Sequence, residues 1–138
     1  MQETPEKVEQ FLEQVKKVLP NENNWTINDS EWTGKVNKTL RFMTEKNLKK
    51  KDIKPIIEEL TLENYCATKP EANPNFQGEQ IWEFGITKNI VDEEEDLYIK
   101  LKIRNFGDDC LLVMSFHPEK PDKPEKKLQF PYKKQELD

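Results

Sequence analysis

Histidine occurs once in this chain, cysteine twice and glycine four times, and no apolar stretch exceeds the seven residues of CLLVMSF. Each scarcity removes a class of function. One imidazole excludes a zinc centre built on two histidines. Cys66 and Cys110 lie far apart, with no CxxC spacing and no histidine beside them. Neither a metal site nor a disulfide framework is expected, and both are read as buried free thiols. The few glycines form neither GxGxxG nor GxxxxGK[ST], the two glycine-rich phosphate loops. An apolar run of this length falls far short of the ~20 residues that cross a bilayer. Acidic and polar residues stand within the first ten positions where a secretory leader would be cationic and then apolar. A cytoplasmic protein with no membrane partner and no cofactor is expected.

Charge, by contrast, is abundant. Charged residues make up 36% of the chain and hydrophobic ones 34%, which implies a lean core under a densely charged surface. The 138 residues suit a single domain, with a helix and connection over 1–34, helices plus sheet over 35–117, and a proline-rich charged tail over 118–138. The net charge of −5 argues against tight non-specific nucleic-acid binding. Residues 35–54, however, carry eight basic side chains and two acidic ones. Screening over a Debye length of ~8 Å lets such a zone attract an anion on its own.

TPEKVEQFLEQVKKVLP predicts a helix capped by Thr4, with Pro5 in its first turn and Lys16 and Lys17 at its end. Val8, Phe11, Leu12, Val15, Val18 and Leu19 form its apolar stripe. Trp25, Ile27 and Trp32 are expected to anchor the connection that follows. GKVNKTLRFMTEKN predicts a second helix that buries Val36, Leu40 and Met43 and ends on Asn47 in a left-handed cap. KKKDIKPIIEEL predicts a third, with Pro55 in its first turn. CATKPEANPNFQGEQ has loop composition. IWEFGI, DLYIKLKIR and CLLVMSF then read as strands of an antiparallel meander, the last two joined by an NFGDD turn. The third strand, apolar on both faces, is expected to be central. Leu128, Phe130 and Tyr132 are the residues able to tether the tail. The class is α+β, with N-terminal helices packed on a small curved antiparallel sheet.

Alternation along DLYIKLKIR sends Leu97, Ile99, Leu101 and Ile103 to one face and Tyr98, Lys100, Lys102 and Arg104 to the other. A phenol and three cations in a row suit an anion, and phosphate in particular. A solvated face of a two-sided sheet has the same composition. Glu83 is the one ionisable residue midway along IWEFGI, and His117 emerges where the last strand meets Pro118. Three adjacent strands bring Glu83, Tyr98 with its cations, and His117 around one shallow hollow. Such a set suffices for metal-free phosphodiester transfer in RNA. A base takes the 2′-hydroxyl proton, an acid protonates the leaving 5′-oxygen, and cations hold the charge that builds on phosphorus. Histidine suits the base role because it titrates near neutrality.

The run from GKVNKTLRFMTEKNLKKKDIKPIIEELTLENY through IWEFG, DLYIKLKIR and CLLVMSFHP resembles the MqsR-type toxins of bacterial type II toxin–antitoxin systems. It is most similar to relatives with an "ISFHP" ending and a "YPY"-like tail, matched here by MSFHP and FPYKK, and the resemblance covers residues 35–133. It implies a RelE-like fold, metal-independent endoribonuclease activity on mRNA, and a cognate antitoxin as partner. Tyr98 and Lys100 match the tyrosine and lysine of the family's "YLKI" strand. Glu83 stands where the family has a glutamine, and His117 where its best-known member has a catalytic lysine. A further family lysine falls on Cys66, with Lys69 three residues on as a stand-in. Tyr98, His117, Lys100 and Glu83 are thus the catalytic candidates, and Lys69, Lys102 and Arg104 the substrate-binding ones.

Two other readings compete. A toxin fold without the chemistry would bind a protein partner through the basic zone 35–54. The run Asp92–Asp96 would serve a metal-dependent nuclease, although contiguous carboxylates usually form a solvated loop.

Overall fold

The computed structural model describes residues 2–28, 37–106, 108–119 and 128–133. The expected roles of Trp32 and Val36, the glycine of the NFGDD turn, and the tail over 120–127 and 134–138 lie outside the described residues. Three helices, α1 (Pro5–Val18), α2 (Lys38–Lys46) and α3 (Lys50–Glu58), accompany five strands. The strands are β1 (Trp25–Ile27), β2 (Tyr65–Pro70), β3 (Gln80–Ile90), β4 (Glu93–Phe106) and β5 (Asp108–Pro118). They form one sheet in the order β1-β5-β4-β3-β2, an α+β architecture.

The first helix follows its local signals. Thr4 Oγ1 accepts from the Lys7 amide, Pro5 needs no donor, and Lys16 and Lys17 close the last turn. Its stripe of Val8, Phe11, Leu12, Val15 and Val18 is buried on one sheet face, where Phe11 stacks on Trp82 with ring centroids 4.4 Å apart. Phe84, Leu97, Ile99 and Leu101 complete that core, with Ile53, Ile56, Ile57 and Leu60 arriving from α3. The second helix starts later than its apolar pattern suggests, because the Asn37 side chain accepts from the Leu40 amide at 3.0 Å. Its buried residues are Thr39 and Phe42, while Leu40 and Met43 are half-buried. Asn47 ends it in the left-handed region (φ 54°), as expected.

Three expectations need correction. Pro55 lies inside α3 rather than in its first turn, since Asp52 accepts from the Lys49 amide at 2.8 Å and starts the helix five residues earlier. The meander β3-β4-β5 is extended at both edges, and the sheet is mixed, because β1 runs parallel to β5 with Trp25 opposite Leu111. That addition makes β5 internal. Finally, YCATKP is a strand and not a loop. A bulge at Cys66 breaks the two-residue alternation that would have revealed it. Pro70 is tolerated there because β2 is an edge strand.

Candidate functional site

Register fixes what the second sheet face displays. Glu83 pairs with Lys100 and Lys100 with Ser115; Gly85 pairs with Tyr98 and Tyr98 with His117. Directly opposed residues share a face. The imidazole and the phenol therefore stand side by side, with ring centroids 5.8 Å apart and planes tilted by 47°. The Tyr98 hydroxyl donates to Glu83 Oε2, and the Lys69 ammonium lies 3.0 Å from Glu83 Oε1. A cavity of about 440 Å³ is walled by Cys66, Lys69, Glu83, Tyr98, Glu119 and Gln129, among others.

Electrostatics follow from this packing. Burial, reinforced by the hydrogen bond to Glu83, drives the Tyr98 phenol well above its ordinary range, so it stays protonated. Burial and the Glu83 charge push the Cys66 thiol up to about 12. Burial also pulls His117 below its ordinary value, against the opposing pull of the Pro118 carbonyl and Glu119. His117 Nδ1 lies 3.0 Å from the Pro118 carbonyl, so the neutral ring donates through Nδ1 and leaves the lone pair on Nε2. Glu119 Oε2 is 3.6 Å from the same Nδ1.

The predicted residues divide into two groups. Lys69, Glu83 and Tyr98 meet in one cavity. His117 adjoins them through the Tyr98 ring and walls a neighbouring cavity under α2 together with Lys38, Arg41 and Lys46. Lys100 is half-buried between Glu83 and Ser115 on the same face, and among the described residues its ammonium has no hydrogen-bond or ion-pair partner. Lys102 and Arg104 are not available to this site. Lys102 is 3% exposed and lies 2.7 Å from Glu71 and 3.2 Å from Glu79. Arg104 bonds Glu79 at 2.8 and 3.1 Å, and the Phe76 ring lies 3.8 Å from its guanidinium. The acids that occupy both cations sit in the 71–79 loop, whose role sequence spacing does not disclose.

Sequence reasoning also missed residues that line the cavity. Glu119 and Gln129 border it with no sequence signal, beside Leu128, which the apolar spacing of the tail had marked as a tether. Among the described residues no group of three or more His, Cys, Asp or Glu side chains is placed to hold a metal ion. The Asp92–Asp96 run belongs instead to the β3-β4 hairpin, with Asp92 in its turn and Glu93–Asp96 in β4. No helix among the described residues is long and apolar enough to cross a membrane. Comparison with protein-family profiles, curated proteins and solved structures finds no match.

Proposed function

We propose that this protein is a metal-independent endoribonuclease that cleaves mRNA by attack of the 2′-hydroxyl, acting as the toxin of a toxin–antitoxin pair. One observation carries the reading: the Tyr98–His117 pair in register across β4 and β5, with Lys100, unpartnered among the described residues, beside it. The resemblance to MqsR-type toxins supplies the substrate class and the antitoxin partner.

The chemistry assigned to these groups balances. His117 Nε2 takes the 2′-hydroxyl proton as the 2′-oxygen bonds to phosphorus. Lys100 faces the charge on the non-bridging oxygens, and Lys69 offsets the carboxylate of Glu83. The bond from phosphorus to the 5′-oxygen breaks, and that oxygen takes the Tyr98 hydroxyl proton, which turns away from Glu83 Oε2 to reach it. The imidazolium then returns its proton to the tyrosinate, leaving a 2′,3′-cyclic phosphate. Glu83 orients the phenol and does not touch the phosphate.

Purified protein incubated with RNA in EDTA should release 2′,3′-cyclic phosphate ends. His117→Ala and Tyr98→Phe should each slow release by about 10²-fold or more, the usual worth of a positioned acid or base. Undiminished cleavage by both variants would overturn the assignment. The second reading, a non-catalytic binding module, is favoured by the occupation of Glu83 by both Tyr98 and Lys69. RNA left intact by the unaltered protein over hours would select it.

A further inference from the structure

The segment 128–133 crosses the face that carries Tyr98. Leu128 and Phe130 are seated against Gly85, the cross-strand neighbour of Tyr98. A Cβ at Gly85 would come within 2.8 Å of Phe130 Cζ and 2.9 Å of Leu128 Cδ1, so any larger residue there would force these two side-chain tips to shift. Beyond them Tyr132 stacks on Tyr65 with centroids 5.9 Å apart, and its hydroxyl donates to the Glu3 carbonyl. The Tyr65 hydroxyl accepts from the Glu3 amide at 2.8 Å, so the anchor ties the segment to the start of α1.

Its placement divides a trough. On one side is the Tyr98 cavity, with Leu128 and Gln129 in its wall. On the other is a cavity of about 320 Å³ over Gly85, Ile86 and Leu97, with Leu128, Phe130 and Lys133 in its wall. Glu119 and Leu128 border both. Among the contacts that seat the segment are two apolar tips, one aromatic stack and one hydrogen bond, while Gln129, Pro131 and Lys133 are exposed. Such a segment belongs to the part of a fold that opens locally, well below the free energy of global unfolding.

We infer that residues 128–133 form a removable strap, and that its seating by Tyr132 and Gly85 controls access to the Tyr98 cavity. Lifting it joins the two cavities into one open trough beside Tyr98, of the kind an extended RNA strand requires. The consequence for RNA rests on the nuclease reading; the strap itself does not.

The thiol of Cys66, buried in the wall of the strapped cavity, reports opening without reference to any activity. The half-buried Cys110 serves as the internal reference. Pulse labelling of the full chain with N-ethylmaleimide is read at each cysteine by mass spectrometry. Tyr132→Ala removes the anchor, and Gly85→Val pushes the strap away from the sheet by an independent route. Each should speed Cys66 labelling by about tenfold or more, the factor that about 1.4 kcal/mol of lost seating makes in an opening equilibrium, with Cys110 unchanged. Cys66 protected as before in both variants overturns the inference. The unaltered chain gives a second check in sub-denaturing urea. Cys66 should label through an opening whose urea slope is smaller than that of global unfolding, and labelling through global unfolding alone overturns the inference. The RNA assay separates the two claims. Faster cleavage by both variants supports strap control, and fast Cys66 labelling with RNA intact throughout leaves the strap standing and retires the nuclease.

Discussion

Lys102 and Glu71 hold one another at 2.7 Å beneath the 71–79 loop, both side chains nearly withdrawn from water. Removing one partner from such a buried pair leaves a charge without compensation, at a cost of about 3–5 kcal/mol. Lys102→Met should therefore destabilise strongly, read as a lower urea midpoint at unchanged slope. The double variant Lys102→Met, Glu71→Leu should recover much of the loss, because apolar groups of similar volume pack there without a desolvation penalty. A single variant as stable as the parent would show that the pair contributes nothing.

The same loop predicts acid sensitivity. Hydrogen bonds from Lys102 and Arg104 hold the Glu71 and Glu79 carboxyls below their ordinary 4.5. Carboxyls lowered in the folded state stabilise above the unfolded value, and that stability disappears as pH falls through the folded one. The contribution of these two carboxyls to unfolding free energy should be level above about pH 4.5 and decline below it. Glu71→Gln should decline less steeply there. Parallel pH profiles for the two proteins would contradict the assignment.

Val91 and Asp92 connect β3 to β4 with φ of 49° and 66°, and Val91 is 61% exposed. A two-residue hairpin with positive φ at both positions favours Asn-Gly, whereas a β-branched side chain is strained in that region. Val91→Asn with Asp92→Gly should stabilise by roughly 1 kcal/mol, since left-handed backbone costs ~1–2 kcal/mol per ordinary residue. Differential scanning calorimetry should show this as a rise in Tm of a few degrees. A fall in Tm would indicate that Val91 makes contacts that outweigh the strain.

His117 provides a pH test of both stability and the assigned base. Its folded-state value is lowered from 6.5, chiefly by burial. Below that value the unfolded chain binds a proton that the folded chain refuses, so stability should fall with pH until the folded value is passed. His117→Gln should remove this slope between pH 6.5 and the folded value. Cleavage should likewise stay level from pH 8 to below the ordinary histidine range, because the base remains neutral there. A cleavage limb centred at or above pH 6.5 would exclude His117 as the base.

Local signals determined much of this protein. The cap at Thr4, the stripe from Val8 to Val18 and the left-handed Asn47 are decided within a few residues of themselves, and so were legible. Alternation along β4 placed Tyr98 and Lys100 on one face, and the apolar ending of β5 placed His117 at its edge. Only the tertiary structure decided the rest. The Cys66 bulge hid β2, and the parallel pairing of β1 has no counterpart in any local pattern. The fate of Lys102 and Arg104 depended on acids 23 to 31 residues away, folded over them by a loop. The strap depended on contact between Phe130 and Gly85, far apart in the chain. Periodicity assigns a side chain to a face, because the backbone repeat is local. What covers that face depends on segments distant in sequence, which only the folded chain brings together.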